Sequence, residues 1–205
     1  LTEREFLQKI LDFMHGDPEG YGKFLAEPVE IESEAIYPVE NYGSGVAPFY
    51  TTLALWVGCI FLLALMKITP STEGLKDPRP YQLFFGRFGI LFLLGQLQWI
   101  VIYIGNIYVL KTQCLHPGRM FLTGAVTSFT FMLLCYAVTL AFADLGKAII
   151  VVIVVLQIAG SSGTYPIEVL PEFFQKVYVF FPFPYAINAM RECMFGYYEN
   201  DYIIY

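Results

Sequence analysis

Charge is scarce in this chain of 205 residues: Asp, Glu, Lys and Arg make up 15% of it, against 57% hydrophobic residues. Neither a disordered chain nor a water-exposed globular surface has that balance, and the composition points to a membrane protein. Basic residues are the scarcer sign, 12 against 18 acidic ones for a net charge of −6. With no basic footprint to neutralise phosphates, no nucleic-acid partner is expected. The two histidines, His15 and His116, stand in loops apart from any ligand cluster. Cys59, Cys114, Cys135 and Cys193 lack CxxC spacing, which argues against a zinc site and a disulfide framework. The GxxxxGK[ST], GxSxG and HExxH patterns do not occur. The chain is therefore not read as an enzyme, and no catalytic, metal-binding or cofactor-binding residue is expected in it.

The charges that do occur are gathered into short stretches. None falls from Asn41 to Met66, from Phe88 to Leu110, from Met120 to Ala143 or from Ala148 to Ile167. About 20 apolar residues carry a helix across a ~30 Å hydrocarbon core. The pattern predicts an all-α membrane protein, a multi-span helical bundle that is a fragment of a larger chain, in a cell membrane. Spans are expected over about 48–66, 83–110 and 120–143. A fourth apolar run, 148–160, meets Gly160-Ser-Ser-Gly163 after a length of about 20 Å, too short to cross alone. Asp144 to Lys147 is read as a tight turn before it.

Pro166, Pro171, Pro182 and Pro184 follow among many Phe and Tyr residues. A straight membrane helix does not tolerate such a series. Residues 164–190 are accordingly expected to form a broken, re-entrant segment with short helices at the external interface, and 191–205 the start of a last span or an external stretch. Phe173, Phe174, Tyr178, Phe180 and Phe181 are expected to form an aromatic layer there. Gly160, Ser161, Ser162, Gly163 and Pro166 form the candidate break, open to two readings: a hinge that can line a cavity, or a simple turn of the chain. Gly163 is the position expected to need a positive φ.

Residues 1–46 read as the tail of an external domain plus a short linker, and 47–205 as the membrane domain. Thr2 and Glu5 make a capping box before Phe6, Leu7, Ile10, Leu11 and Met14, and Val29 and Ile31 alternate with acids as in a short strand. Loop charges orient the spans: Lys67, Lys76, Arg79, Arg87 and Lys147 fall on one side, and Lys111 and Arg119 on the other. The positive-inside rule puts the first group in the cytosol. Lys76, Arg79 and Arg87 then form a candidate partner loop. Inside the second span, Gln96, Gln98 and Asn106 are candidate intramembrane polar contacts, read either as interhelical hydrogen-bonding groups or as part of a translocation path.

One set of residues carries a resemblance. The run Tyr37-Pro-Val-Glu-Asn-Tyr-Gly-Ser-Gly-Val-Ala-Pro-Phe49 with Leu55-Trp-Val-Gly58, and the run Gly160-Ser-Ser-Gly-Thr-Tyr-Pro-Ile-Glu-Val-Leu-Pro171 with Pro184-Tyr-Ala-Ile-Asn-Ala-Met-Arg191, resemble the membrane part of the YhgE/Pip (phage infection protein) family. The resemblance implies a multi-pass, permease-like subunit of the type 2 ABC exporter kind in a Gram-positive plasma membrane, which moves or exports a substrate. The partners it implies, besides the bilayer, are a second copy and a separate ATPase subunit. The alternative it carries is a cell-surface phage receptor, or a scaffold associated with type VII secretion components, whose activity lies in an external domain.

Overall fold

A computed structural model describes residues 38–69, 77–163 and 166–196. The expected helix over 2–14 and strand over 29–34, Lys76, and residues 197–205 lie outside them. The chain divides into two units, Leu1–Ile36 and Tyr37–Tyr205, and the described residues belong to the second. Every regular element among them is helical.

Helix α1 covers Tyr42–Leu65, starting earlier than 48 because Asn41 caps it: its side chain accepts from Ser44 N at 2.9 Å. Helix α2 covers Pro80–Ile104 and continues as a π-helical turn, Gly105–Val109. Helix α3 covers Pro117–Phe142. All three are long and apolar enough to cross a membrane. Proline opens both α2 and α3, where its missing N–H costs nothing.

Helix α4 covers Asp144–Gly160, which corrects the expected tight turn. Asp144 and Lys147 are its first turn, joined by an ion pair of 3.0 Å, and the turn itself is Ala143 alone, at φ 52°. So sharp a corner needs close backbones. A Cβ on Gly146 would lie 2.5 Å from the Val138 carbonyl oxygen. The 17 residues of α4 span about 25 Å, short of a full crossing.

Helix α3 is the centre of the bundle, packed against α1, α2 and α4. Trp99 lies over Gly124, where a Cβ would come 2.1 Å from the indole, and its Nε1 donates to Phe121 O at 2.9 Å. Ser128 donates to Gly95 O at 3.0 Å. These small residues let helix backbones approach without a hydrophobic driving force, as membrane packing requires. The remaining hydroxyls turn inward on their own helices: Thr52, Thr127, Thr130 and Thr139 each donate to the carbonyl four residues back. No water is needed for them in a hydrocarbon setting.

Two ends of the bundle can be told apart. At one, Gln113 N donates to Ser44 Oγ, and Leu115 and His116 donate to the carbonyls of Met194 and Cys193. At the other, the Arg87 guanidinium donates to the Lys67 carbonyl, near the Asp144–Lys147 turn.

Candidate functional site

The broken segment is built from the end of α4. The helix stops at Gly160, and Ser161 is buried with its hydroxyl unpartnered. The left-handed backbone falls on Ser162, at φ 55°, and Gly163 has no positive φ. Gly163 is small for another reason: a Cβ there would meet the Phe49 ring at 2.2 Å. At Gly160 a Cβ would meet the Phe174 ring at 2.6 Å. Pro166 precedes a 3-10 turn, Ile167–Val169, followed by helix α5, Glu172–Val177, and a second 3-10 turn, Tyr178–Phe180. Of the expected aromatic layer, Phe173 and Phe180 are exposed, Phe180 at 84%. Phe174 packs edge-on to Phe173 and covers Gly160.

The next element differs in part from expectation. Residues 164–190 were expected to be re-entrant with short interfacial helices, yet helix α6, Pro182–Phe195, runs through position 190 as one piece and is mostly buried. Pro182 and Pro184 do not break it, because they occupy its first turn, where the backbone N–H has no intrahelical partner. Phe183 is wholly buried, its ring 5.5 Å from both Trp56 and Phe131. Those two residues sit near the middle of α1 and α3. From that depth α6 rises about 20 Å to the loop before α3, where Cys193 and Met194 accept from His116 and Leu115. The chain therefore enters the bundle, starts a helix at mid-depth and returns to the same end.

A helix that begins inside a bundle brings unsatisfied N–H groups with it. Gln157 answers one of them: its Oε1 accepts from Phe183 N at 3.2 Å. Gln157 is fully buried, and its Nε2 has no partner. Trp56 Nε1 donates to Ile150 O at 3.3 Å, and Thr52 donates to Met190 Sδ at 3.7 Å. Sequence reading missed this anchor, although a signal was present: Gln157 is the sole polar side chain between Ala148 and Ala159. Glu192 is also fully buried, on α6, within a stretch read as the start of a last span or an external stretch.

The other predicted residues lie elsewhere. Gln96 donates to Ala125 O and Gln98 to Ala54 O, both at 3.1 Å. Asn106 donates to Thr51 Oγ1 at 2.7 Å. All three bridge helices, Gln96 toward α3 and the others toward α1. Arg79 is the exposed N-cap of α2, and its backbone N donates to Gln82 Oε1. Arg87 is held on the Lys67 carbonyl, and Lys76 lies outside the described residues. Among the described residues no three His, Cys, Asp or Glu side chains converge as a metal site would need. In the loop before α3, burial pushes the Cys114 thiol pKa up and nearby Cys193 adds to the effect, against a smaller lowering by the His116 backbone N–H.

Three apolar spans, a fourth helix that stops short of a full crossing and a re-entrant helix are the architecture of a membrane domain. The chain belongs to the ABC-2 family of transporter proteins, whose description, ABC-2 family transporter protein, matches residues 9–204. It is similar to a Bacillus subtilis (strain 168) protein described as uncharacterized protein YhgE, with 31% identity over 186 residues, 88% of this chain and 24% of that protein. The resemblance to the YhgE/Pip family is thereby shown, and the chain spans about a quarter of the relative's length. No solved structure matches the chain.

Proposed function

We propose that this chain is the membrane part of a permease-like exporter subunit, working as a dimer with a separate ATPase, in a Gram-positive plasma membrane. The observation that carries the reading is α6, which starts at mid-depth against Trp56 and Phe131 with its Phe183 N–H held by Gln157 and does not cross the bundle. A short helix of this kind is the element that can shift against the three spans, and the break at Gly160 to Gly163 is the place where it would pivot. The family supports the ATPase and the membrane, and the Bacillus relative supports the Gram-positive setting. In this reading Arg79 and Lys76 are cytosolic and offer the ATPase an approach, while Lys111 and the re-entrant segment are external.

Affinity purification of the full-length protein from its native membrane, followed by ATPase assay, tests the proposal. Co-purification of an ATPase whose turnover changes with Gln157→Leu supports it. A second reading, a phage receptor or secretion scaffold anchored by these spans, is favoured by one fact: three quarters of the relative lies beyond the matched region. Activity that survives transfer of the external part to an unrelated anchor would select that reading.

A further inference from the structure

We infer that the groove between α1 and α2 holds one membrane amphiphile with an uncharged, hydroxyl-bearing headgroup. Two hollows lie along this groove. The upper, about 380 Å³, has Asn41, Ser44, Thr51, Asn106 and Thr112 in its wall. The lower, about 580 Å³, runs past Gly58, Phe61, Leu62, Leu97 and Val101. They share Ala54 and Ile102 in their walls and so adjoin along the groove. From Asn41 to Phe61 they follow α1 for about 30 Å, most of the length of that helix.

The chemistry changes along that path. At the upper end the helices leave surplus polar groups. Pro48 deprives the Ser44 carbonyl of its intrahelical donor. The π-helical turn at Gly105–Val109 presents Asn106, which is only 7% exposed. Asn106 spends one amide hydrogen on Thr51, and its side-chain oxygen accepts no hydrogen bond from the described residues. π-Helical turns recur at functional sites, and that oxygen is not fully enclosed, so a ligand in the hollow can reach it. The lower end is apolar apart from Gln98, whose amide lies in the notch left by Gly58 and donates to Ala54 O.

A purely polar ligand would leave the lower trough empty, and a purely apolar one would leave Asn106 unanswered. An amphiphile answers both. No Asp, Glu, Lys or Arg lines either hollow, so amides and hydroxyls must recognise the head, which suits sugar or glycerol hydroxyls better than a phosphate. The inference rests on this geometry and not on the transport reading.

The test is photo-crosslinking of the full-length protein in lipid nanodiscs, comparing a diazirine-bearing monoglucosyl diacylglycerol with the corresponding phosphatidylglycerol. The expected result is labelling of α1 and α2 peptides by the glycolipid at least about fivefold above the anionic lipid, the discrimination of roughly one hydrogen bond. Ala54 is exposed, so Ala54→Trp blocks the trough without disturbing the core and should cut that labelling by a similar factor. Leu110, also exposed, lines the upper hollow, and Leu110→Lys should shift preference toward phosphatidylglycerol. Equal labelling by both lipids, indifferent to Ala54→Trp, would mean ordinary annular lipid and overturn the inference. So would efficient cross-linking of a cysteine at position 54 or 101 to another protein segment with no lipid adduct, which would show the trough covered by protein.

Discussion

Replacing Gln157 by Leu removes the acceptor that holds the start of α6 while keeping most of the side-chain volume. Phe183 N then faces hydrocarbon with no partner, for a gross cost of about 1–3 kcal/mol. Measured interhelical hydrogen bonds in membranes are weaker, about 0.6 kcal/mol on average and ~1.7 at most. Loss of the unpartnered Gln157 Nε2 returns part of the cost. A net loss near 1 kcal/mol remains, which lowers Tm by about 2–4 °C for a domain of this size. The sharper assay is hydrogen exchange: the Phe183 amide should exchange about fivefold faster, while amides in the middle of α3 stay unchanged. Gln157→Glu supplies the control, because a buried carboxyl stays protonated and keeps an acceptor oxygen, and it should preserve the slow exchange. Unchanged exchange at Phe183 in the Leu variant would refute the anchor. Equal acceleration of exchange in the Leu and Glu variants would refute it too.

Gly163→Val should destabilise the domain more than Gly160→Ala, because Gly163 abuts Phe49, which is 5% exposed and cannot yield, whereas Phe174 beside Gly160 is half-buried and can; thermal denaturation in detergent ranks the two. Ser162→Gly should be neutral or stabilising and Ser162→Val costly by about 1–2 kcal/mol, since only the former relaxes φ 55°; the same melts decide it. Maleimide labelling of Cys114 should rise at more alkaline pH than for a water-exposed cysteine, because a raised pKa keeps the thiol protonated; a labelling midpoint at or below the ordinary thiol value would contradict the burial argument. Cysteines placed at positions 79 and 111 should label from opposite sides of intact cells, and external labelling at 79 alone would invert the orientation.

The three spans were legible because charge avoids hydrocarbon so strongly that its absence marks a crossing. Where a charge pair could serve two ends, sequence reading failed: Asp144 and Lys147 read as a turn, yet at a spacing of three they pair across the first turn of α4. Counting prolines misplaced α6, since Pro182 and Pro184 initiate a helix that the same residues would break further along. Its buried stripe, Phe183, Ala186, Ile187, Met190, Cys193 and Met194, has helical spacing and was there to be read. Ser162 and Gln157 were not legible in the same way. A left-handed serine is set by what the chain must clear on either side, and a lone glutamine gains meaning only when a helix start arrives beside it.

The clasp at Gln113 bears on how force enters the molecule. Its side-chain amide accepts from Glu40 N and donates to Pro38 O, both at 3.0 Å, and its backbone N donates to Ser44 Oγ. Tension arriving along the chain ahead of Pro38 is thus shared between α1 and the loop before α3. That loop in turn grips the end of α6 through Leu115 and His116. Bonds of this kind are worth about 1 kcal/mol each and yield long before a packed helix does. A tug from the amino-terminal side would load the clasp before the packed spans, so the joint behaves as a fuse in the mechanical sense.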